Sequence, residues 1–435
     1  MSHLLFGTSQ LTEDGQLKIG GCLATDLAKT YGTPLFVYDV AKIKEMARGF
    51  KQTFTELAVP HKVMYASKAF SCQAIYQLLA KEGLGFDVVS AGEIYTALSA
   101  GVSPSDLEFH GNNKTPDELT YAINEGIGTI VVDNFYELNL VAEIAEAKQQ
   151  TQQILLRVTP GVDAHTHDYI LTGQEDSKFG FDVKSGQADQ ALQQALTHQS
   201  LQVAGVHCHI GSQIFDTAGF TAAAERMMAL LIKWREAYDY TATILNLGGG
   251  FGVRYTETDT PLPPQDYVTH VVSEVKKLAC ATDYPLPIIW IEPGRSIVAE
   301  AGTTLYTIGS RKDVPGIRKF VAVDGGMGDN IRPALYQAKY TGLLANRALE
   351  PATETVTIVG KYCESGDRLI ESIDLPHAEV GDLFAMLTTG AYGYSMANHY
   401  NRNPKPAVVF VEDGQSKLAI RRETLVDLIM LDQQL

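Results

Sequence analysis

The sequence predicts an α/β protein: a parallel eight-stranded (β/α)8 barrel joined to a mostly antiparallel β domain. Three observations carry that expectation. From residue 62 onward, a short β-branched or apolar run ending in polar or Gly-rich residues is followed by an amphipathic stretch, and the pair recurs until eight strands are counted. The segment from Lys62 to Arg295 spans 234 residues, close to the ~250 that such a barrel uses. Outside it, alternating runs around Asp-Gly pairs signal hairpins. A doubly wound open sheet is the alternative for the repeated units.

In chain order, QLTEDGQLKIGG alternates around Asp14-Gly15 as a first hairpin. The eight strand runs are KVMYASK from Lys62, GFDVVS from Gly85, LEFHG from Leu107, TIVVDN from Thr129, QILLRVTP from Gln153, VAGVHCHIG from Val203, ILNLGGG from Ile244 and PIIWIEPGR from Pro287. The first five begin 22 to 24 residues apart, one strand plus one helix, and the later intervals of 41 to 50 leave room for longer loops. Between them, CQAIYQLLAKEG repeats its apolar positions at Ile75, Leu78 and Leu79 with Gly83 as a stop. In TPDELTYAINEG, Thr115 and Glu118 form a capping box. KFVAVDGG, ETVTIVGKYC, VGDLFAML and AVVFVEDGQSKLAIRR, the last turning at Asp413-Gly414, read as strands, and ETLVDLIMLD as a short final helix. The expected barrel runs over 36–303 and the β domain over 1–35 and 304–435.

Composition narrows the function. Hydrophobic residues at 45% and charged residues at 20% describe an ordinary globular chain and exclude disorder and collagen-like repeats. A net charge of -16 repels phosphate backbones and anionic membranes, so neither nucleic acid nor a membrane is an expected partner. The five cysteines are scattered without a CxxC spacing and read as reduced thiols, not as a disulfide frame or zinc site. The first ten residues lack a basic segment followed by a long apolar run, and no run of 18 apolar residues occurs, so the expected location is the cytoplasm.

In an α/β barrel, chemistry sits where the C-terminal strand ends converge. Those ends offer Lys68, Asp87 with Ser90, His110, Asp133, Arg157, His207 with His209, the glycines of LNLGGGFG, and Glu292 with Arg295. Lys68 at the end of an apolar strand is expected to be partly desolvated, favouring a neutral nucleophilic amine; a lysine snorkelling to the surface is the plain alternative. Gly248, Gly249, Gly250 and Gly252 follow the seventh strand, where backbone N–H groups can approach a phosphate; a simple turn, or a dinucleotide fingerprint lacking its helix, competes. Glu292 can keep a pyridine nitrogen protonated, making the ring an electron sink, or can pair with Arg295. His207 and His209, two apart, are expected on one face of a strand, where they suit a metal in a barrel hydrolase or the stacking of one ring on a flat cofactor.

Taken together, YASKAF, FDVVSAGE, RVTPGV, HTHDYILTG with DSKFGF, HCHIGSQI, LNLGGGFG, IEPGR, VDGGM, CESGD and GAYG resemble, in order and over nearly the whole chain, the pyridoxal 5'-phosphate decarboxylases of the alanine racemase-like fold, in the branch that acts on diaminopimelate. Phe70 departs from the family, where many members carry Asn, and leaves the role of Lys68 intact. The resemblance implies that Lys68 holds pyridoxal 5'-phosphate through its amine and that His209 stacks on the ring. It implies that Ser212, Gly249, Gly250 and the backbone at Gly294 and Arg295 cradle the phosphate, with Tyr392 beside it, and that Glu292 pairs with the ring nitrogen. Arg295, Arg332, Tyr336 and Tyr392 are the implied contacts of the substrate, with Glu364 for its ammonium. Cys363 is the implied proton donor, suited to that task because thiols are mostly protonated at neutral pH. It is supplied by a neighbouring subunit, so the implied assembly is a homodimer with shared active sites. The implied reaction converts meso-2,6-diaminopimelate to L-lysine and carbon dioxide.

Overall fold

In the computed structural model, residues 5–162 and 177–435 are described. The HTHDYILTG motif and Asp176 lie outside them. Eight parallel strands close on themselves: β1 (His61–Ala66), β2 (Gly85–Val88), β3 (Leu107–Phe109), β4 (Thr129–Val132), β5 (Gln152–Thr159), β6 (Leu201–His207), β7 (Ile244–Asn246) and β8 (Ile288–Ile291). Closure is made by β8 against β1, with Ile289 opposite His61 and Ile291 opposite Val63. A two-residue strand, Phe181–Asp182, adds to the free end of β5.

Strand periodicity places the site. Met64, Val131, Leu155, Ala204, Ile244 and Trp290, from six of the strands, form one buried apolar cluster. Two residues further along a strand, the same face points inward again; four of those six positions are Asp133, Arg157, Asn246 and Glu292 and the other two are Ala66 and Val206, all buried. The barrel therefore carries an apolar layer with a charged and polar layer above it at the C-terminal strand ends. The helices are set by their caps. Ser90 accepts from the Glu93 N–H at 3.2 Å, Asn134 from the Glu137 N–H at 3.0 Å, and the expected Thr115–Glu118 box is formed at the start of Pro116–Asn124. In Gln73–Lys81 the buried face is Ile75, Tyr76 and Leu79; Tyr76 takes the place expected of Leu78.

The β-rich unit has its own core. Its long strand Gly302–Val314 shifts register between Ile308 and Arg311, which lets it pair antiparallel with Leu35–Asp39 and Leu383–Met386 along one half and with Arg318–Val323 along the other. Leu305, Val37, Val409 and Ala385 pack together with Leu17 and Ile19 of the N-terminal hairpin. Both Asp-Gly hairpins form; in the second, Glu412 faces Gln415 across a two-residue turn with Asp413 and Gly414 at φ of 49° and 76°.

The chain divides into a barrel unit, 46–252 with 261–294, and a β-rich unit, 1–45 with 253–260 and 295–435. The expected barrel range of 36–303 begins inside a strand of the β-rich sheet. Leu35–Asp39 is hydrogen-bonded between Gly302–Val314 and Ala407–Glu412, so its residues belong to that sheet. Among the described residues, no helix is long and apolar enough to cross a membrane.

Candidate active site

In the barrel unit, the polar layer is organised around Glu292. The Glu292 Oε1 accepts from Asn246 Nδ2 at 2.7 Å and lies 3.1 Å from His207 Nε2 and 3.2 Å from His110 Nε2. Burial works against its charge, yet His207 and His110 hold the carboxyl well below its ordinary range. Glu292 is thus a buried carboxylate anion held by Asn246, His207 and His110.

The loops after β6 and β7 run together beside it. Ile214 N–H donates to the Gly250 carbonyl at 2.9 Å, and Gly252 N–H donates back to the Ile214 carbonyl at 3.0 Å. A Cβ on Gly249 would collide with the Glu292 carbonyl, and one on Gly250, whose φ is +108°, would stand 2.5 Å from the Gly211 carbonyl. Gly294 lies against Ala66, where a Cβ would come within 2.8 Å of the alanine methyl. Ser212, half-buried, sits in the first of these loops. The structure therefore brings Ser212, Gly249, Gly250 and Glu292 to one rim of the barrel, with Gly294 against the end of β1.

The two histidines do not share one strand face as expected. His207 is the last residue of β6 and points at Glu292; His209 lies beyond the strand end, and its Nδ1 accepts from the Gly249 N–H at 3.3 Å. That bond leaves the proton of a neutral ring on Nε2. Burial first, then the positive charges of Lys68 and Arg157, keep His209 well below its ordinary range, so it is a neutral, flat imidazole. The two rings are thus turned to different partners, His207 to the acid and His209 to the glycine loop.

Lys68 occupies a short 3-10 turn, Ser67–Ala69, directly after β1. Lys68 is exposed, whereas Ser67 and Ala69 on either side of it are buried. It is close enough for its charge to act on Asp87, Glu93 and His209. Arg157, stacked over Phe179 at 4.3 Å, lies 3.7 Å from Asp133. These residues fit a flat anionic cofactor with a basic ring nitrogen: a lysine amine, a side-chain-free phosphate cradle, a neutral imidazole and a buried anion.

The β-rich unit holds a second constellation. Arg295 Nη1 donates to the Tyr255 hydroxyl at 2.7 Å, and Arg332 Nη1 donates to the same oxygen at 3.2 Å and also to the Tyr340 hydroxyl. Arg295 lies 4.8 Å over the Tyr392 ring, and Arg332 lies 5.1 Å over Tyr255 and 5.6 Å over Tyr340. Burial opposes ionisation of Tyr255, but the two guanidiniums outweigh it and lower its pKa. Among the described residues no carboxylate pairs with Arg332, so a buried cation there has only phenols for partners, an arrangement suited to an anionic ligand. Tyr336 ends the same short helix as Arg332 and is exposed. Cys363 and Glu364 are exposed as well; the Cys363 N–H donates to Asn401 Oδ1 at 2.8 Å. Asp367 ties that loop to VDGGM by accepting from the Met327 and Tyr362 N–H groups at 2.7 and 2.9 Å.

Tyr255, Tyr340, Glu108 and Asn246 were not among the expected site residues. Asn246 had a signal, standing two positions after Ile244 in a strand whose face turns inward. Tyr255 had none, because VRYTETDT reads as an aperiodic loop.

Residues 40–299 match the family described as "Pyridoxal-dependent decarboxylase, pyridoxal binding domain", which defines the class as a pyridoxal-dependent barrel decarboxylase. The chain is 57% identical over 428 residues to the diaminopimelate decarboxylase of Bacillus subtilis (98% of each chain) and 60% identical over 417 residues to that of Bacillus methanolicus (96% of each). A crystal structure of the M. jannaschii diaminopimelate decarboxylase in complex with L-lysine superposes with a TM-score of 0.91 at 35% identity, covering 98% of both chains. The chain belongs to the diaminopimelate decarboxylase family.

Proposed function

We propose that this chain decarboxylates meso-2,6-diaminopimelate to L-lysine and carbon dioxide with pyridoxal 5'-phosphate, in the cytoplasm and as a homodimer. The observation that carries the reading is the buried Glu292 carboxylate beside a glycine cradle and the neutral ring of His209, in a chain whose relatives are diaminopimelate decarboxylases. When bound, the cofactor supplies a protonated pyridine ring that accepts the electron pair left by departing carbon dioxide. Lys68 Nζ would hold the cofactor. The Glu292 carboxylate would hold a proton on the ring nitrogen, and His209 would lie against the ring. The N–H groups at Gly249, Gly250, Gly294 and Arg295, with Ser212 and Tyr392, would hold the phosphate.

Arg295 and Arg332, with Tyr392 and Tyr336, orient the substrate through its carboxylates, and Glu364 of the partner subunit takes the distant ammonium. Cys363 of the partner subunit delivers from Sγ the proton that replaces carbon dioxide. Carbon–carbon cleavage, loss of carbon dioxide and uptake of one proton balance to lysine. The test is Lys68→Ala: lysine formation from meso-diaminopimelate is expected to vanish, together with the lysyl-cofactor adduct that borohydride traps in the wild type. Trapping at another lysine in the variant would refute the assignment.

A further inference from the structure

Inner layers of such barrels are ordinarily packed with branched apolar side chains, yet here Asp87, Glu108 and Glu292 are buried together. Three buried acids demand compensation, because an unpaired buried carboxylate takes up a proton. His110 Nε2 lies 3.2 Å from Glu292, 3.5 Å from Glu108 and 3.9 Å from Asp87. The Asn246 amide reaches three ways: Nδ2 donates to Glu292 at 2.7 Å and to Glu108 at 2.9 Å, while Oδ1 accepts from the Gly248 N–H at 2.9 Å. The backbone donor at Gly248 fixes which way the amide points. Glu292 N–H in turn donates to the Gly248 carbonyl at 2.9 Å, so one asparagine links the glycine loop to the acid.

We propose that His110 and Asn246 are positioning residues for Glu292, His110 supplying the cation that keeps it ionised among neighbouring acids and Asn246 fixing its orientation. The inference rests on the reading of Glu292 as the partner of the cofactor's ring nitrogen. Burial disfavours a charged His110, but Asp87, Glu292 and Glu108 outweigh it and raise its pKa to about 10. Burial pushes His207 down to about 4 despite Glu292, whereas His110 stands against three acids, and the charge is therefore assigned to His110. Burial also raises Glu108 to about 7, which leaves Glu292 the firmly ionised acid.

The test compares affinities of the apoenzyme for pyridoxal 5'-phosphate and for its 1-deaza analogue, which has carbon in place of the ring nitrogen. The wild type is expected to prefer the natural cofactor by about tenfold or more, the worth of a charge-assisted hydrogen bond. Glu292→Gln removes that preference; if it does not, the reading of Glu292 is wrong. Given that result, His110→Gln and Asn246→Ala are each expected to cut the preference by roughly threefold or more, with affinity for the analogue nearly unchanged. If both variants keep the wild-type ratio, or weaken both ligands equally, the inference is overturned while the role of Glu292 stands. Should Asn246→Ala fail to fold, His110→Gln, which keeps a polar side chain, decides alone.

Discussion

Tyr255 is the residue whose removal most cleanly probes the arginine constellation. Its hydroxyl is the shared acceptor of Arg295 and Arg332, so Tyr255→Phe keeps the ring beneath the guanidiniums and deletes only the oxygen that sets their spacing. A hydrogen bond to a charged group is worth about 1.5–3 kcal/mol, and kcat/KM is expected to fall roughly ten- to hundredfold. Most of that change should lie in KM, since the arginines are assigned to substrate carboxylates and not to bond cleavage; steady-state kinetics with meso-diaminopimelate would read it, and a fall confined to kcat would contradict it. The residue scale also shows what sequence carries. Lys68, the glycines and Glu292 were visible because strand ends are readable from periodicity. The exposure of Lys68 was not, because it depends on a local 3-10 turn, and Tyr255 was hidden because its partners Arg332 and Tyr340 lie far along the chain.

The helix Phe135–Ala147 is tied to strand β4 by a contact that can be tested singly. Lys114, in the loop after β3, donates from Nζ to Glu137 Oε1 at 2.6 Å and to the carbonyls of Gly111 and Val131 at 2.8 Å, with both charged side chains buried. Lys114→Met would strand the Glu137 carboxylate, a loss of about 3–5 kcal/mol. Burial already raises the pKa of Glu137 against the pull of Lys114; without the lysine it rises further, so the native variant binds a proton more readily than its unfolded chain. The deficit should therefore narrow as pH is lowered, and urea unfolding across pH would show it; a pH-independent deficit would argue against a stranded charge. At this scale the β/α units were legible because each repeats one local pattern. Leu35–Asp39 was misassigned because its buried apolar run reads the same in either unit, and only its pairing with Gly302–Val314 and Ala407–Glu412 decides. Val253–Thr260 joins the β-rich unit through contacts such as that of Arg254 N–H with Glu300 Oε1 at 3.2 Å, which no local pattern announces.

At the scale of the whole molecule, the groups assigned to the reaction are divided between two units of one chain, Lys68 and Glu292 in the barrel and Cys363 and Glu364 in the β-rich unit. Cys363 is exposed while the adjacent Tyr362 is buried and stacked on Tyr400 at 6.2 Å, so the loop is anchored beside an accessible cysteine. If sites are shared in the proposed homodimer, a Lys68→Ala chain and a Cys363→Ala chain, each inactive alone, should regain activity when mixed and refolded. Random pairing makes half the dimers hybrid, and a hybrid holds one site with both residues intact and one with neither. The ceiling is therefore about a quarter of wild-type activity, by symmetry counting for an isologous dimer. If each chain built its own site, every site in the mixture would lack one residue and nothing would return. No recovery in a mixture shown by native mass measurement to contain hybrids would rule out sharing and assign Cys363 to the site of its own chain.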